Sequence, residues 1–241
     1  ETASWRDKTD AVVMAWLPGQ EAGNAVADVL SGKTSPSGKL PMTFPMKYED
    51  IPYSSPEYFQ GLPLDKPTEV MYKEGIYVGY RYFDTFGKEV SYPFGHGLSY
   101  TSFSYDIESA PIEGDQCQLK VTVKNTGNYA GREAVQAYVK APKGALDKPA
   151  KELKAFGKTR LLEPGESQTL TLTWHVMDMA SYNEKSASWE LDKGEYQWMA
   201  AAWSADVRDT AVHKIDQSSK GNTRDVMKPQ AAMPVHPRVN R

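Results

Sequence analysis

The spacing of hydrophobic residues changes several times along this chain, and each change marks a boundary. Ala11-Val12-Val13-Met14-Ala15-Trp16-Leu17 is a continuous apolar run of seven residues closed by Pro18-Gly19. A run of that length predicts a strand buried on both faces, as in a parallel sheet. From about Gln20 to Leu30 the period becomes helical, with Ala22, Val26, Val29 and Leu30 on one side. Glu21 falls in the first turn, where a carboxylate suits the helix dipole. Gly32 stands where a helix-ending glycine is expected. Pro36-Ser37-Gly38 predicts a turn, and Leu40 to Pro45 a short extended segment. The result is a strand–helix–strand unit of an α/β sheet. Its roughly 45 residues cannot cover both faces of such a sheet. The reading therefore expects the rest of the sheet to come from before Glu1.

Residues 46 to 71 show little periodicity. With Pro45 just before, they carry Pro52, Pro56, Pro63 and Pro67, which predicts a long surface connector. Residues 72 to 105 then hold seven of the 14 Tyr and four of the 7 Phe in the chain. Side chains this large need covering surfaces, and a buried Tyr hydroxyl needs a partner. The stretch predicts a buried strap between the α/β piece and whatever follows. Asp84-Thr85-Phe86-Gly87 reads as a turn, so residues 76–83 and 89–94 are expected to pair as a hairpin.

From Phe103 the period is two. Gln118 to Lys124 alternates strictly, with Leu119, Val121 and Val123 on one face. Further strands are predicted at Ala134–Val139, Leu153–Lys158 (running on to Leu161), Leu170–Trp174, Ala187–Leu191 and Tyr196–Ala200, with an edge strand over Val207–Ile215. Asp192-Lys193-Gly194-Glu195 predicts a hairpin joining Trp189 and Trp198. Seven or so short strands separated by turns predict an antiparallel sandwich. From Gln217 the chain is polar, then holds Pro229, Pro234 and Pro237, and is expected to be a loose or disordered tail. The fold class is thus mainly β, with a partial α/β segment and an aromatic-rich linker in front. The expected divisions are 1–45, 46–102, 103–216 and 217–241.

Composition narrows the function classes. The 241 residues are 40% hydrophobic, 24% charged and 11% aromatic, which is a globular composition. The net charge of −3 lacks the basic excess of a nucleic-acid binder. No apolar run approaches the roughly 20 residues of a membrane helix. Cys117 is the only cysteine and lies in an alternating strand, so it reads as a small buried apolar residue. Glu1-Thr2-Ala3-Ser4-Trp5 has no signal-peptide pattern and no initiator Met, so the chain reads as a fragment or processed piece.

Candidate chemistry is sparse. His96 lies between two glycines, which read as permitting close backbone approach rather than catalysis. His175, His213 and His236 are dispersed, without metal-ligand spacing. No Gly-x-Ser-x-Gly elbow is present. Gly19 and Gly23 lack the third glycine of a dinucleotide loop. Neither a metal nor a cofactor is predicted. Trp174, Trp189, Trp198 and Trp203 form an aromatic set able to meet a sugar, although Trp174 shares a face with Leu170 and Leu172 and so reads as core.

Longer motifs carry a resemblance. Pro18-Gly19-Gln20-Glu21-Ala22-Gly23-Asn24 through Gly32, then Pro36-Ser37-Gly38-Lys39-Leu40-Pro41-Met42-Thr43-Phe44-Pro45, resemble the end of the α/β-sandwich domain of glycoside hydrolase family 3. Glu74-Gly75-Ile76-Tyr77-Val78-Gly79-Tyr80-Arg81-Tyr82-Phe83 and Tyr92-Pro93-Phe94-Gly95-His96-Gly97-Leu98-Ser99-Tyr100-Thr101 are similar to that family's next signatures. Val123-Lys124-Asn125-Thr126-Gly127, Gly131-Arg132-Glu133, Leu153-Lys154-Ala155-Phe156, Pro164-Gly165-Glu166 and Gly194-Glu195-Tyr196 resemble its fibronectin type III-like domain. Within that family the motifs are similar to those of bacterial β-glucosidases and β-xylosidases.

The resemblance implies a (β/α)₈ barrel bearing an aspartate nucleophile and an α/β sandwich bearing a glutamate acid/base, both upstream of Pro18-Gly19-Gln20-Glu21. Retaining hydrolysis needs two carboxylates roughly 5–5.5 Å apart, and no position here matches either. No catalytic residue is carried over. The expected function is the C-terminal part of a β-glycosidase acting on terminal β-linked sugars, inactive by itself, in a periplasmic or extracellular setting. Its expected partners are the upstream barrel and α/β domains and, in the intact enzyme, a β-linked oligosaccharide. Trp16, Gln20 and Glu21 sit at the carboxyl end of the first predicted strand, where open α/β sheets place ligands. They are the candidate sugar-subsite residues. The competing reading makes Glu21 a solvent-facing helix-start carboxylate, and Trp16 and Gln20 core or interface residues. The alternative function is a non-catalytic carbohydrate-binding or structural sandwich.

Overall fold

The computed structural model describes residues 1–68, 70, 72–224 and 226. The apolar run at 11–17 pairs with no strand, and every residue from 11 to 20 is exposed. Its predicted burial does not hold: Val13 is 51% exposed and Leu17 98%. An apolar run is buried only when something covers it, and nothing among the described residues does. Helix α1 (Ala22–Leu30) forms as expected, and the Gly32 N–H returns to the Val29 carbonyl at 3.0 Å with φ of +77°. None of its residues is fully buried. Strand β1 (Phe44–Pro45) is short. The connector contains a one-turn helix α2 (Pro56–Phe59), which starts at proline as a first helical turn allows.

The predicted hairpin in the strap is absent. Residues 80–86 form helix α3 (Tyr80–Phe86) instead, framed by Gly79 and Gly87 at φ of +58° and +60°. Two glycines in the left-handed region start and stop the helix, and its aromatics then reach two sides rather than alternate. Strand β2 (Val90–Tyr92) pairs antiparallel with β1, Phe44 facing Tyr92.

The sandwich follows the alternation closely. One sheet is built on β5 (Gln116–Asn125), with β3 (Phe103–Ser109) and the short β4 (Ile112–Glu113) on one side and β8 (Ser167–His175) on the other. The second has the order β12-β11-β6-β7, from β6 (Ala134–Lys140), β7 (Glu152–Lys158), β11 (Gly194–Trp203) and β12 (Asp206–Ile215). All of these pairings are antiparallel, so the mainly β antiparallel reading stands. Strand β7 stops at Lys158, and beyond it Leu162 makes only a bridge to Gly131. Cys117, Leu119, Val121 and Val123 of β5 face Val135, Ala137 and Val139 of β6 across a core that also takes Leu162, Tyr196 and Ala200. Trp174 and Trp198 meet edge to face at its centre, 4.7 Å apart.

Two further predictions fail at the end of the chain. Strand β10 (Ser188–Leu191) and β11 are neighbours in sequence but not in a sheet. β10 joins β9 (Ser181–Asn183) and β13 (Ser219–Asn222) in a separate three-stranded sheet of order β13-β10-β9. Gly194, at φ of +140°, lets the chain leave one sheet for the other instead of closing a hairpin. Residues 219–222, read as part of a loose tail, are the strand that completes this small sheet. Pro229, Pro234, Pro237 and His236 lie outside the described residues.

The strap packs on the outer face of the second sheet. That explains why β6 is buried without alternation from Val135 to Val139, while β5 alternates. Tyr138 and Gln136, on the outer face of β6, meet the strap. Tyr80 lies edge-on to Tyr138 at 5.8 Å and stacks on Phe94 at 4.8 Å. The Tyr138 hydroxyl donates to Gln136 Oε1 at 2.6 Å, and Gln136 Nε2 donates to the carbonyls of Gly95 and Ala202. Gly95 comes so close to Gln136 that no Cβ fits.

Helix α3 is fastened to β7 and the loop before it. Leu153 N–H donates to the Tyr80 hydroxyl, Ala150 N–H donates to Thr85 Oγ1, and Lys151 pairs with Asp84 at 2.9 Å.

Candidate functional site

The three candidate residues share one exposed stretch at the start of α1. Trp16 has φ of +52°, which is unusual for a non-glycine residue. Its indole is half exposed and contacts Phe44 edge to face at 6.4 Å. Gln20 is exposed. The Glu21 carboxylate, at the N-cap position of α1, accepts from Asn24 Nδ2 at 2.6 Å and makes no capping bond. Glu21 therefore resembles the solvent-facing helix-start carboxylate of the competing reading. An indole and a carboxylate can contact a sugar, whereas the usual glycosidase geometry places two carboxylates across the scissile bond.

Behind Trp16 a line of aromatic rings crosses to the sandwich. Phe44 meets Tyr92 at 6.2 Å, Tyr92 meets His96 at 5.3 Å, and His96 meets Trp203 of β11 at 5.0 Å. Arg6 lies over Tyr92, and the Lys39 ammonium lies 5.6 Å from the Trp203 ring centre. His96 is thus a packed member of this line. Burial, and then the Lys39 charge, hold its imidazole below the ordinary range. Its backbone carbonyl accepts from Leu40 N–H, and Gly95 N–H donates to the Leu40 carbonyl, both at 2.8 Å. These bonds tie the segment after α1 to the strap.

One group was not visible in the residue pattern. Lys39 Nζ sits 2.9 Å from Glu133 Oε1, and both side chains are nearly buried, at 12% and 7% exposed. The Tyr105 hydroxyl donates to the same oxygen at 2.7 Å. Burial and the Glu133 charge push the Tyr105 phenol far up. Lys39 also donates to the Gly97 carbonyl at 3.2 Å. Lys39 and Glu133 are 94 positions apart, so neither periodicity nor local motif could pair them. Their placement is that of an anchor between the N-terminal segment and the sandwich. Among the described residues no cluster of three or more His, Cys, Asp or Glu could hold a metal ion, and no helix is long and apolar enough to cross a membrane.

The tryptophans divide by burial. Trp174 and Trp198 are core, Trp203 belongs to the aromatic line, and Trp189 is 45% exposed on the small sheet. Of the four, only Trp189 presents a substantially open ring.

Comparison with known proteins places this geometry. Residues 1–80 match the glycosyl hydrolase family 3 C-terminal domain, and residues 133–204 match the fibronectin type III-like domain. Beta-glucosidase A of Butyrivibrio fibrisolvens is 44% identical over 228 residues, covering 86% of this chain and 26% of that protein. Beta-glucosidase B of Emericella nidulans is 42% identical over 200 residues, covering 80% of this chain and 24% of that protein. The structure of beta-glucosidase 3B from Thermotoga neapolitana in complex with alpha-D-glucose superposes with a TM-score of 0.86 at 46% identity, over 91% of this chain and 30% of that one. The beta-glucosidase of Kluyveromyces marxianus in complex with glucose gives 0.82 at 38% identity, over 90% of this chain and 26% of that one. The chain spans about a quarter of the length of the curated relatives it matches.

Proposed function

From a chain that carries the C-terminal region of glycoside hydrolase family 3, we propose that it serves as the C-terminal part of a β-glycosidase acting on terminal β-linked sugars. In this reading a barrel and the body of an α/β domain supply both catalytic carboxylates. Residues 1–45 complete that α/β domain, 46–102 form the connector and strap, 103–216 the sandwich, and 217–241 the end of the chain. Trp16, Gln20 and Glu21 then lie beside a β-linked oligosaccharide in the assembled enzyme.

The observation that carries the proposal is the uncovered apolar run. Val12, Val13, Met14, Trp16 and Leu17 are all exposed in a chain whose sandwich core is fully closed. An exposed contiguous apolar surface marks a contact face, and relatives four times as long have the material to cover it. Leu30, at the end of α1, is a further uncovered apolar side chain at 66%.

Hydrolysis of an aryl β-glucoside tests this directly. The purified chain alone is expected to show no turnover. A chimera joining it behind the remaining N-terminal part of one of the relatives is expected to be active. Turnover by the chain alone, at a rate that survives repurification, would overturn the proposal. In the active chimera, Trp16→Ala is expected to raise KM, and Glu21→Gln to leave the acid limb of the pH profile unchanged.

A further inference from the structure

The small sheet β13-β10-β9 holds an aromatic residue with one side open. The cross-strand partners of Trp189 are Tyr182 on β9 and Gly221 on β13. Directly opposed residues share a face of the sheet and sit close together. Tyr182 fills its side, with ring centres 5.3 Å apart. Gly221 has no side chain, so among the described residues no cross-strand side chain covers the indole on that side. The result is a cleft of about 390 Å³, lined by Met177, Asp178, Trp189, Gly221, Asn222 and Thr223. That size lies within the range of small-ligand sites.

We propose that this cleft binds a single sugar ring stacked on Trp189. The choice of sugar as ligand rests on the glycosidase reading, but the site itself is separate from Trp16. A pyranose has a face of C–H bonds with partial positive charge and a rim of hydroxyls. The electron-rich face of an indole complements the first. The rim residues suit the second. Asp178 commits Oδ2 to His175 N–H at 2.9 Å, which leaves acceptor capacity on its carboxylate. The Asn222 carboxamide, a donor and an acceptor on one planar group, has no protein hydrogen-bond partner among the described residues. Thr223 Oγ1 is fixed by the Ala187 carbonyl at 2.9 Å. Met177 provides a polarisable apolar wall, set 3.6 Å from where a Gly221 Cβ would be. The adjacent Glu190 follows Trp189 in the strand and so lies on the other face of the sheet, where its Oε1 accepts from Lys220, Asn183 and Ser186.

Titration of the whole chain with methyl β-D-glucoside and with cellobiose, followed by amide and indole NMR shifts, tests the proposal. Saturable shifts are expected at residues 177–178, 189 and 221–223. Trp189→Ala is expected to weaken binding about tenfold or more, the usual scale for losing a stacking ring. Gly221→Leu fills the open side from a position whose Cβ has room, so it is expected to abolish binding with the same melting temperature. Absence of saturable shifts, shifts that survive both Trp189→Ala and Gly221→Leu, or shifts centred on Trp16 would each overturn it. An inactive glycosidase chimera would leave this result untouched, because the titration needs only this chain.

Discussion

At the scale of single residues, the strongest dependence belongs to the Lys39–Glu133–Tyr105 group. A nearly buried ion pair adds little against a well-packed apolar substitute, but removing one partner strands a charge. Lys39→Met is expected to cost about 3 kcal/mol in urea unfolding, with Lys39→Met/Glu133→Gln recovering part of it. A loss no larger than that of an exposed pair such as Lys33–Asp28 would show that Glu133 is well solvated after all. Two histidines give a pH signature. Burial and the Lys39 charge lower the basicity of His96, and burial does the same to His213, which stacks on Trp198 at 3.8 Å. The unfolded chain then binds these protons at a higher pH than the folded one. Their contribution is complete above the unfolded value of about 6.5 and is lost as pH falls towards the folded values. A pH series of melting curves should show this decline, and His96→Phe with His213→Phe should flatten it.

At the scale of elements, glycine position decides more than glycine count. Gly95 and Gly32 both have positive φ, but only Gly95 touches another element. Gly32→Ala is expected to cost about 1 kcal/mol for the backbone alone. Gly95→Ala adds a collision with Gln136 and is expected to cost about 3 kcal/mol, which thermal melts of the two variants would separate. The same scale shows what could be read in advance. Strands β5, β8 and β12 were legible because one of their faces meets the core and alternation records it, whereas β6, buried on both faces, was legible as a short apolar run. Helix α1 was legible from its period and from Gly32. Helix α3 was not, because aromatics on both sides mask a helical period in seven residues, and the sign lay in Gly79 and Gly87. The β10–β11 hairpin misled because Asp192-Lys193-Gly194-Glu195 has turn composition. Pairing is decided by β13, which lies 28 positions or more further on. The aromatic line from Trp16 to Trp203 joins distant residues and left no local trace.

At the scale of the whole molecule, the closed sandwich and the open N-terminal face behave differently. Val13→Glu with Leu17→Glu changes exposed residues only, so it is expected to shift stability by less than about 0.5 kcal/mol while raising solubility. Light scattering beside a melting curve checks both. A large loss of stability would mean that the run is covered in solution. The candidate site divides in the same way. Trp16, Gln20 and Glu21 were accessible to reading because they occupy one short motif. The Trp189 cleft was not, because it depends on a glycine in what looked like a tail.

Strand β6 lies between the core and the strap, and the strap is itself bonded to Leu40 through Gly95 and His96. A protease would find residues 62–68 of the connector exposed. Cutting it there would nevertheless release nothing. The Leu40 bonds to Gly95 and His96, the Lys39–Glu133 pair and the Tyr100 hydroxyl bond to Val29 would hold the pieces together. Two bands on a denaturing gel would run as one particle in native mass spectrometry. Co-expression of the two halves as separate chains is expected to give the same particle, and recovery of only one half on a tag placed on the other would contradict it.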